Sequence, residues 1–276
     1  MRRRLRQVDV FGAEPYAGNP VAVVLDAERL GADEMQRFAS WTNLAETTFV
    51  LPPSREGADY RVRIFTPTVE LPFAGHPTLG TCHAWLEAGG ASRRDGAVVQ
   101  ECGAGLVEIR LTDSGLGFAA PPLVRSGAVD PSLVDRIAAM LRIERGDVVD
   151  AQWVDNGPGW VAVLLASAQA VLAIRPAAVD LAVGVAGPYP EGAAAAFEVR
   201  AFAPSDGSTV EDPVTGSLNA SLAQWLLRTG RAQAPYVASQ GTALGRSGRV
   251  HVAVGDDGRI WVAGATATCL AGEVEL

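Results

Sequence analysis

Glu70 to Gly90 reads ELPFAGHPTLGTCHAWLEAGG, and it recurs in altered form at Glu211 to Gly230 as EDPVTGSLNASLAQWLLRTG. Each copy follows an F-x-P strand end, Phe65-Thr-Pro67 or Phe202-Ala-Pro204. Each then runs through a polar turn to a glycine, Gly75 or Gly216, that opens an apolar helix ending near Gly89 or Gly230. A repeat of this size predicts duplication of a whole domain, since a solenoid would need several short units. Histidine apart, neither helix meets an ionisable acid or base before Glu87 or Arg228, so each is expected to be enclosed on most sides. The expectation is therefore α+β: two similar domains, each wrapping a curved, mainly antiparallel sheet around a central helix, with the active site in the cleft between them. Pro121-Pro122 marks the division, giving domains 1–121 and 122–276, with the last strand free to cross back to the first.

Local patterns fill in the two halves. Strands are expected at either end of Gln7 to Leu25, around an irregular segment from Gly12 to Pro20. A helix is predicted near Asp33 to Thr42 with Asp33 as its cap, then a strand from Asn43 to Leu51 carrying Glu46 near its start. Tyr60 to Phe65 alternates as an amphipathic strand, and Val98 to Cys102 with Leu106 to Leu111 reads as a hairpin. In the second half Asp130-Pro131 opens a helix, and two strands flank an Asn156-Gly157 turn. Ser167 to Ile174 reads as a helix, Ala196 to Phe202 as a strand, and further strands run from His251 to Val254 and from Arg259 to Ala263.

Composition narrows the chemistry. The chain has 276 residues, 48% hydrophobic and 20% charged, which is globular and not disordered. A net charge of -8 speaks against a nucleic-acid partner. All 23 basic residues are arginine, so Schiff-base chemistry and a P-loop lysine are excluded. No run is apolar enough for a membrane span, and MRRRLRQVDVFG lacks the apolar core of a signal peptide. Cys82, Cys102 and Cys269 are an odd set that suits a reducing cytoplasm, and the histidines offer no metal-ligand spacing.

Helix N-termini present unpaired amides and attract anions, and a glycine there lets backbone approach a ligand. Gly75 and Gly216 thus read either as plain turn formers or as paired oxyanion cradles, and their recurrence favours the second. His76 and Ser217 follow them at equivalent places. His76 could titrate, orient a carboxylate or donate to substrate, or serve simply as a helix cap or a buried hydrogen-bond donor. Asp212 precedes Gly216 closely enough to serve the same place or to bond the turn amides around Thr215. Glu46 interrupts an apolar and threonine strand, where a plain surface position is the alternative. His83 reads as core packing, and His251 has no role.

The stretches Gly18-Asn-Pro-Val-Ala-Val-Val24, Asn43-Leu-Ala-Glu-Thr-Thr-Phe-Val50, Ile64 to Thr81, Asn156-Gly-Pro158, Val210 to Ser217 and Gln240 to Arg246 resemble the PhzF-like phenazine-biosynthesis isomerases. The resemblance implies a diaminopimelate-epimerase-like fold, a homodimer and no cofactor or metal. It assigns proton transfer between carbons of a dihydro-hydroxyanthranilate to Glu46, with His76 and Asp212 as its catalytic partners. Gly75, Gly216, Ser217, Asn19 and Thr215 would bind a small carboxylate substrate, and burial is expected to raise the pKa of Glu46. Racemases of the same fold carry cysteines where this chain has Ala74 and Pro213, which disfavours a cysteine-type amino-acid racemase or epimerase. Departures at Gly159-Trp160 and at Ser247 bear on which substrate is taken. The expected activity is a cofactor-independent isomerase acting on a small cyclic or unsaturated carboxylic acid. A small-molecule-binding or inactive homologue is the alternative.

Overall fold

The arginine-rich start of the chain is a strand that begins well before Gln7. In the computed structural model, which describes residues 1–205 and 207–276, the elements in chain order are as follows. The first half holds β1 (Arg2–Val10), β2 (Asn19–Val24), α1 (Ala32–Thr42), β3 (Thr47–Leu51), β4 (Tyr60–Phe65), β5 (Glu70–Leu71), α2 (Gly75–Glu87), β6 (Ala97–Cys102), β7 (Gly105–Thr112) and β8 (Gly115–Ala119). Next come β9 (Arg125–Ala128), α3 (Pro131–Leu141), β10 (Val148–Asp155), β11 (Val161–Leu165), α4 (Ala168–Ala173), β12 (Val183–Pro188), β13 (Phe197–Ser205) and β14 (Ser208–Asp212). The chain continues through α5 (Gly216–Arg228), β15 (Tyr236–Gln240), β16 (Gly248–Val254), β17 (Ile260–Gly264) and β18 (Thr266–Glu275). Two units divide it: Met1–Phe118 with Ala263–Leu276, and Ala119–Val262.

In the first unit β1 pairs antiparallel with β2 on one side and with β18 on the other, from Arg2 opposite Glu275 to Val10 opposite Thr266. Pairing is mixed. β2 runs parallel to β3 and β4 parallel to β6, while β3–β4, β6–β7 and β7–β8 are antiparallel. Helix α2 packs on β1, β2, β3, β6 and β18, and its residues from Gly75 to Cys82 are all buried. Each large side chain such as Leu79 that is taken fully from water there adds about 1.5–3 kcal/mol. Gly80 explains how the helix comes so close. A Cβ at that position would lie 2.3 Å from Val21 Cγ1 and 3.0 Å from Val10 Cγ2.

Helix α1 covers the outer side of the same sheet through Met35, Phe38 and Ala39, against Val24, Phe49 and Phe65. Its cap differs from the expected one. Gly31 is the N-cap, and the Glu34 side chain reaches back to the Gly31 amide at 2.8 Å. Asp33 falls inside the first turn, where its charge favours the helix dipole.

The second unit repeats this plan. β11–β12 and β13–β15 are parallel, and β10–β11, β12–β13, β13–β14 and β15–β16 antiparallel. Helix α5 packs on β10 and β16. Here the glycine that permits close approach is on the strand: a Cβ at Gly184 in β12 would lie 2.3 Å from Leu218 Cδ1. Helices α3 and α4 bury Val134, Ile137, Leu141 and Val171 against Val161, Val163, Val183 and Phe202. Asp130 caps α3 by accepting from the Ser132 amide at 2.8 Å, with Pro131 at its first position.

One tie recurs in both units. Arg63 in β4 makes a two-pronged pair with Glu70, at 2.7 and 2.6 Å, and lies over the Phe65 ring. Arg200 in β13 pairs in the same way with Glu211, at 2.8 and 2.7 Å, and lies over Phe202. The acids are the opening residues of the two repeat copies. In the first unit the pair is open to water, and in the second it is buried.

Candidate active site

Glu46 is held at the start of β3 by its backbone. Helix α1 ends on Asn43, whose left-handed conformation (φ 54°) suits asparagine and turns the chain back. The Glu46 carbonyl then accepts from the Ala22 amide at 3.4 Å, fixing it beside β2. Its side chain is mostly buried, so the surface reading does not hold.

His76 is the second residue of α2, which opens at Gly75. The first intrahelical bond runs from the Thr78 amide to Ala74, and Pro77 has no N–H to satisfy. Nε2 of His76 lies 3.3 Å from Oε2 of Glu46, within hydrogen-bonding range but without the alignment of a formed bond. On the other side of the ring, Nδ1 is 3.4 Å from Nδ2 of Asn19, which is buried at the start of β2. The turn before Asn19 is held by Asp9, which accepts from the Gly18 amide at 2.7 Å. Gly18 cannot take a side chain, since a Cβ would lie 2.1 Å from the Val10 carbonyl oxygen. The first unit thus brings Asn19, His76, Gly75 and Glu46 together.

Burial pushes the His76 pKa down to about 3, against a smaller opposing hydrogen bond to the Pro20 backbone. The ring is neutral at pH 7, so of those readings the orienting partner fits and the titrating group does not. The depression has a consequence for stability. Above the ordinary value of 6.5 both folded and unfolded chains hold a neutral ring. As pH falls from 6.5 towards 3 the unfolded chain takes a proton that the folded chain refuses, and stability is lost. Between pH 7.5 and pH 5 the loss from this residue is expected to be about 2 kcal/mol. Urea unfolding of the wild type and His76→Gln across that range checks it: the wild type should lose more stability than the variant, and parallel curves would contradict it.

In the second unit Asp212 is the last residue of β14 and Thr215 the N-cap of α5. Thr215 Oγ1 donates to Asp212 Oδ2 at 2.6 Å. The Thr215 amide donates to Gln240 Oε1 at 3.0 Å, so this residue, expected to bind substrate, is engaged within the protein. Gly216 and Ser217 follow as the first helical residues, whose amides have no partner within the helix. Neither Gly75 nor Gly216 has a positive φ, so turn geometry does not demand glycine at either place. Ser217 Oγ accepts from the Trp160 indole at 3.1 Å, and its carbonyl accepts from Asn156 Nδ2 at 2.9 Å. The second unit therefore brings together Asp212, Thr215, Gly216 and Ser217, with Gln240, Trp160 and Asn156 around them.

Sequence reasoning gave no role to Gln240, and met Trp160 only as a departure that bears on substrate. A signal existed for the first: a glutamine stands within a mainly apolar strand in each half, Gln100 and Gln240, and both are fully buried. The cysteines lie elsewhere. Ala74 caps α2, and Pro213 precedes the α5 opening. Cys82 is buried within α2, where loss of solvent pushes its thiol up to about 12, far from a thiolate at pH 7. His83 is half-buried, its ring nitrogens 2.9 and 3.1 Å from the hydroxyls of Thr266 and Thr268. Among the described residues no cluster of His, Cys, Asp or Glu is placed to hold a metal ion, and no helix is long and apolar enough to cross a membrane.

The family model described as phenazine biosynthesis-like protein, PhzC-PhzF, matches residues 8–272. Antisense-enhancing sequence 1 of Schizosaccharomyces pombe is 35% identical over 289 residues, covering 97% of each chain. Trans-2,3-dihydro-3-hydroxyanthranilate isomerase of Pseudomonas aeruginosa is 36% identical over 256 residues, covering 88% of this chain and 87% of the relative. Among solved structures, the Bacillus anthracis phenazine biosynthesis protein of the PhzF family has a TM-score of 0.84 at 24% identity, covering all of both chains. A hydroxyproline epimerase from Agrobacterium vitis has a TM-score of 0.58 at 15% identity, covering 99% of this chain and 92% of that one. These last two likenesses speak to the fold alone, and they place it with the diaminopimelate-epimerase-like architecture.

Proposed function

The chain belongs to the phenazine biosynthesis-like PhzC-PhzF family of isomerases, and from that premise we propose that it moves a proton between carbons of a small unsaturated carboxylic acid, without a cofactor. Glu46 carries the proton. Its carboxylate takes it from one carbon, the electrons of that C–H bond pass into the adjoining unsaturation, and the resulting carboxylic acid returns it to the far carbon. Atoms and charge balance with no further reagent. The observation that supports this is the approach of Glu46 to a buried, neutral His76, itself next to Asn19. A neutral imidazole can exchange hydrogen bonds with the carboxylate in either protonation state, which suits a group that must serve as base and then as acid.

Asp212 orients the substrate. Gly75, Gly216 and Ser217 supply amide and hydroxyl donors to a carboxylate or developing enolate oxygen, and Asn19 steadies His76 and the bound acid. Thr215 contributes through Asp212. The assembly is read as a homodimer, which sedimentation equilibrium would measure.

The first substrate to try is trans-2,3-dihydro-3-hydroxyanthranilate, after the Pseudomonas relative. Incubation in deuterium oxide followed by proton NMR should show deuterium at carbon in the recovered acid and a shifted double bond. Saturable binding with neither label nor turnover, for this and related cyclic acids, would leave a binding protein instead.

A further inference from the structure

We propose that Gln240 is a positioning residue that, through Thr215, holds Asp212 as an oriented hydrogen-bond acceptor. The proposal rests on the reading of Asp212 as a group that touches substrate.

Gln240 ends β15 and is fully buried. Its Oε1 accepts from the Thr215 amide at 3.0 Å and from Asn219 Nδ2 at 2.8 Å. Its Nε2 donates to the Asp212 carbonyl oxygen and to Thr215 Oγ1, both at 3.0 Å. A primary amide offers two donors and two lone pairs, so the group is filled. It can also sit only one way round. Exchanging oxygen and nitrogen would set Oε1 against the Asp212 carbonyl and Nε2 against the Thr215 N–H, two acceptors and two donors face to face.

That orientation fixes the next bond. Thr215 Oγ1 already accepts from Nε2, so its single hydrogen goes to Asp212 Oδ2, at 2.6 Å. The direction of donation runs from Gln240 through Thr215 to Asp212. It holds one Asp212 carboxylate oxygen at the α5 opening.

The first unit supplies a comparison within the same chain. Gln100 in β6 also reaches the central helix of its unit, donating to Thr78 Oγ1 at 2.9 Å where Gln240 accepts from Asn219, but it stands two positions earlier in register, opposite Tyr60, while the matching Phe197 faces Ala238. Gln100 Oε1 accepts from the Tyr60 hydroxyl, at 2.9 Å. Where Asp212 pairs with Ala201, the first unit pairs Leu71 with Ile64. The bonds to Thr215 and to the Asp212 carbonyl thus belong to the copy whose strand ends in an acid.

Two variants separate positioning from packing. Thr215→Val keeps shape and the amide bond to Gln240 but removes the hydroxyl. Gln240→Glu keeps Oε1 and removes the donor. With trans-2,3-dihydro-3-hydroxyanthranilate each should lower kcat about tenfold or more while KM moves by less than about threefold, because the bound acid is misaligned and not released. Thr215→Ser should restore kcat to within about twofold, and the double variant should be no worse than the poorer single one. The second arm needs no turnover: the carbon-13 carboxyl resonance of Asp212 at pH 7, assigned with Asp212→Asn, should shift in Thr215→Val and Gln240→Glu but not in Thr215→Ser. An unmoved resonance in folded Thr215→Val overturns the proposal. A moved resonance with no turnover by the wild type upholds it and counts against the functional reading alone.

Discussion

Glu46→Gln is expected to lower kcat/KM for the isomerisation about a thousandfold, within the range that one general acid/base group supplies. Glutamine keeps the length and hydrogen-bonding reach of the side chain, so the approach to His76, 3.3 Å in the native chain, can persist. What is lost is the ability to take up a proton and return it. The loss should fall on kcat, with substrate affinity changed little, because donors at Gly75, Gly216 and Ser217 do not depend on this carboxylate. Deuterium incorporation should fall in parallel, and the thermal midpoint should stay close to that of the wild type. His76→Asn should cost less, since it removes an orienting group and not the carrier. If Glu46→Gln retains more than about a tenth of the native rate, the proton is carried elsewhere and the assignment fails.

The second large effect concerns stability. Arg200→Met is expected to cost about 3–5 kcal/mol, and Arg63→Met less than about 1 kcal/mol, although both remove the same two-pronged pair. The difference is solvent. Arg200 and Glu211 are 4% and 13% exposed, Arg63 and Glu70 27% and 42%. Without Arg200, Glu211 keeps a charge in a dry site, and the carbonyls of Val171 and Ile174, which accept from Arg200 Nη1 at 3.1 and 2.8 Å, lose their donor. Around Arg63, water replaces the missing partner. Removing both charges of the buried pair, as Arg200→Met with Glu211→Leu, should recover much of the loss. Urea midpoints, with amide exchange in α4 and β13 to localise the effect, would check this. Equal costs for the two arginine variants would refute it.

These two ties also show what the sequence could carry. The repeat was legible as Glu70 and Glu211, F-x-P and the paired glycines, because duplicated backbone geometry keeps the residues that shape turns and helix openings. The arginines that meet those acids were in view too, as alternating positions on a strand. Which pair is dry was not, since that depends on how the end of α4 packs over Arg200 through the Val171 and Ile174 carbonyls. β18 was missed for a related reason: Thr266 to Glu275 is mostly half-buried or exposed, and its place comes from β1, far away in sequence. Likewise β1 was read from Gln7 because Arg2 to Arg6 carries no alternation, and only pairing on both sides makes it a strand. At the site, residues followed by a turn signal stood out, such as His76 and Asp212. Gln240 did not, because its role is a pattern of donors and acceptors, and such a pattern is defined only once its partners are assembled.

The pairing of β1 with β18 has a consequence for the order of events at synthesis. β1 leaves the ribosome well before its partner β18, because every residue of Ala119–Val262 is made in between. The second unit is contiguous and can close as soon as it clears the exit tunnel. The first unit, although its β1 is translated earlier, keeps one edge of that strand unsealed until β18 has been made. Lagging closure exposes a row of unpaired backbone groups on a growing chain, the kind of edge that recruits other strands. Arg2, Arg3, Arg4 and Arg6 all fall on that strand, and like charge along an unpaired edge disfavours its pairing with the same edge of another nascent chain.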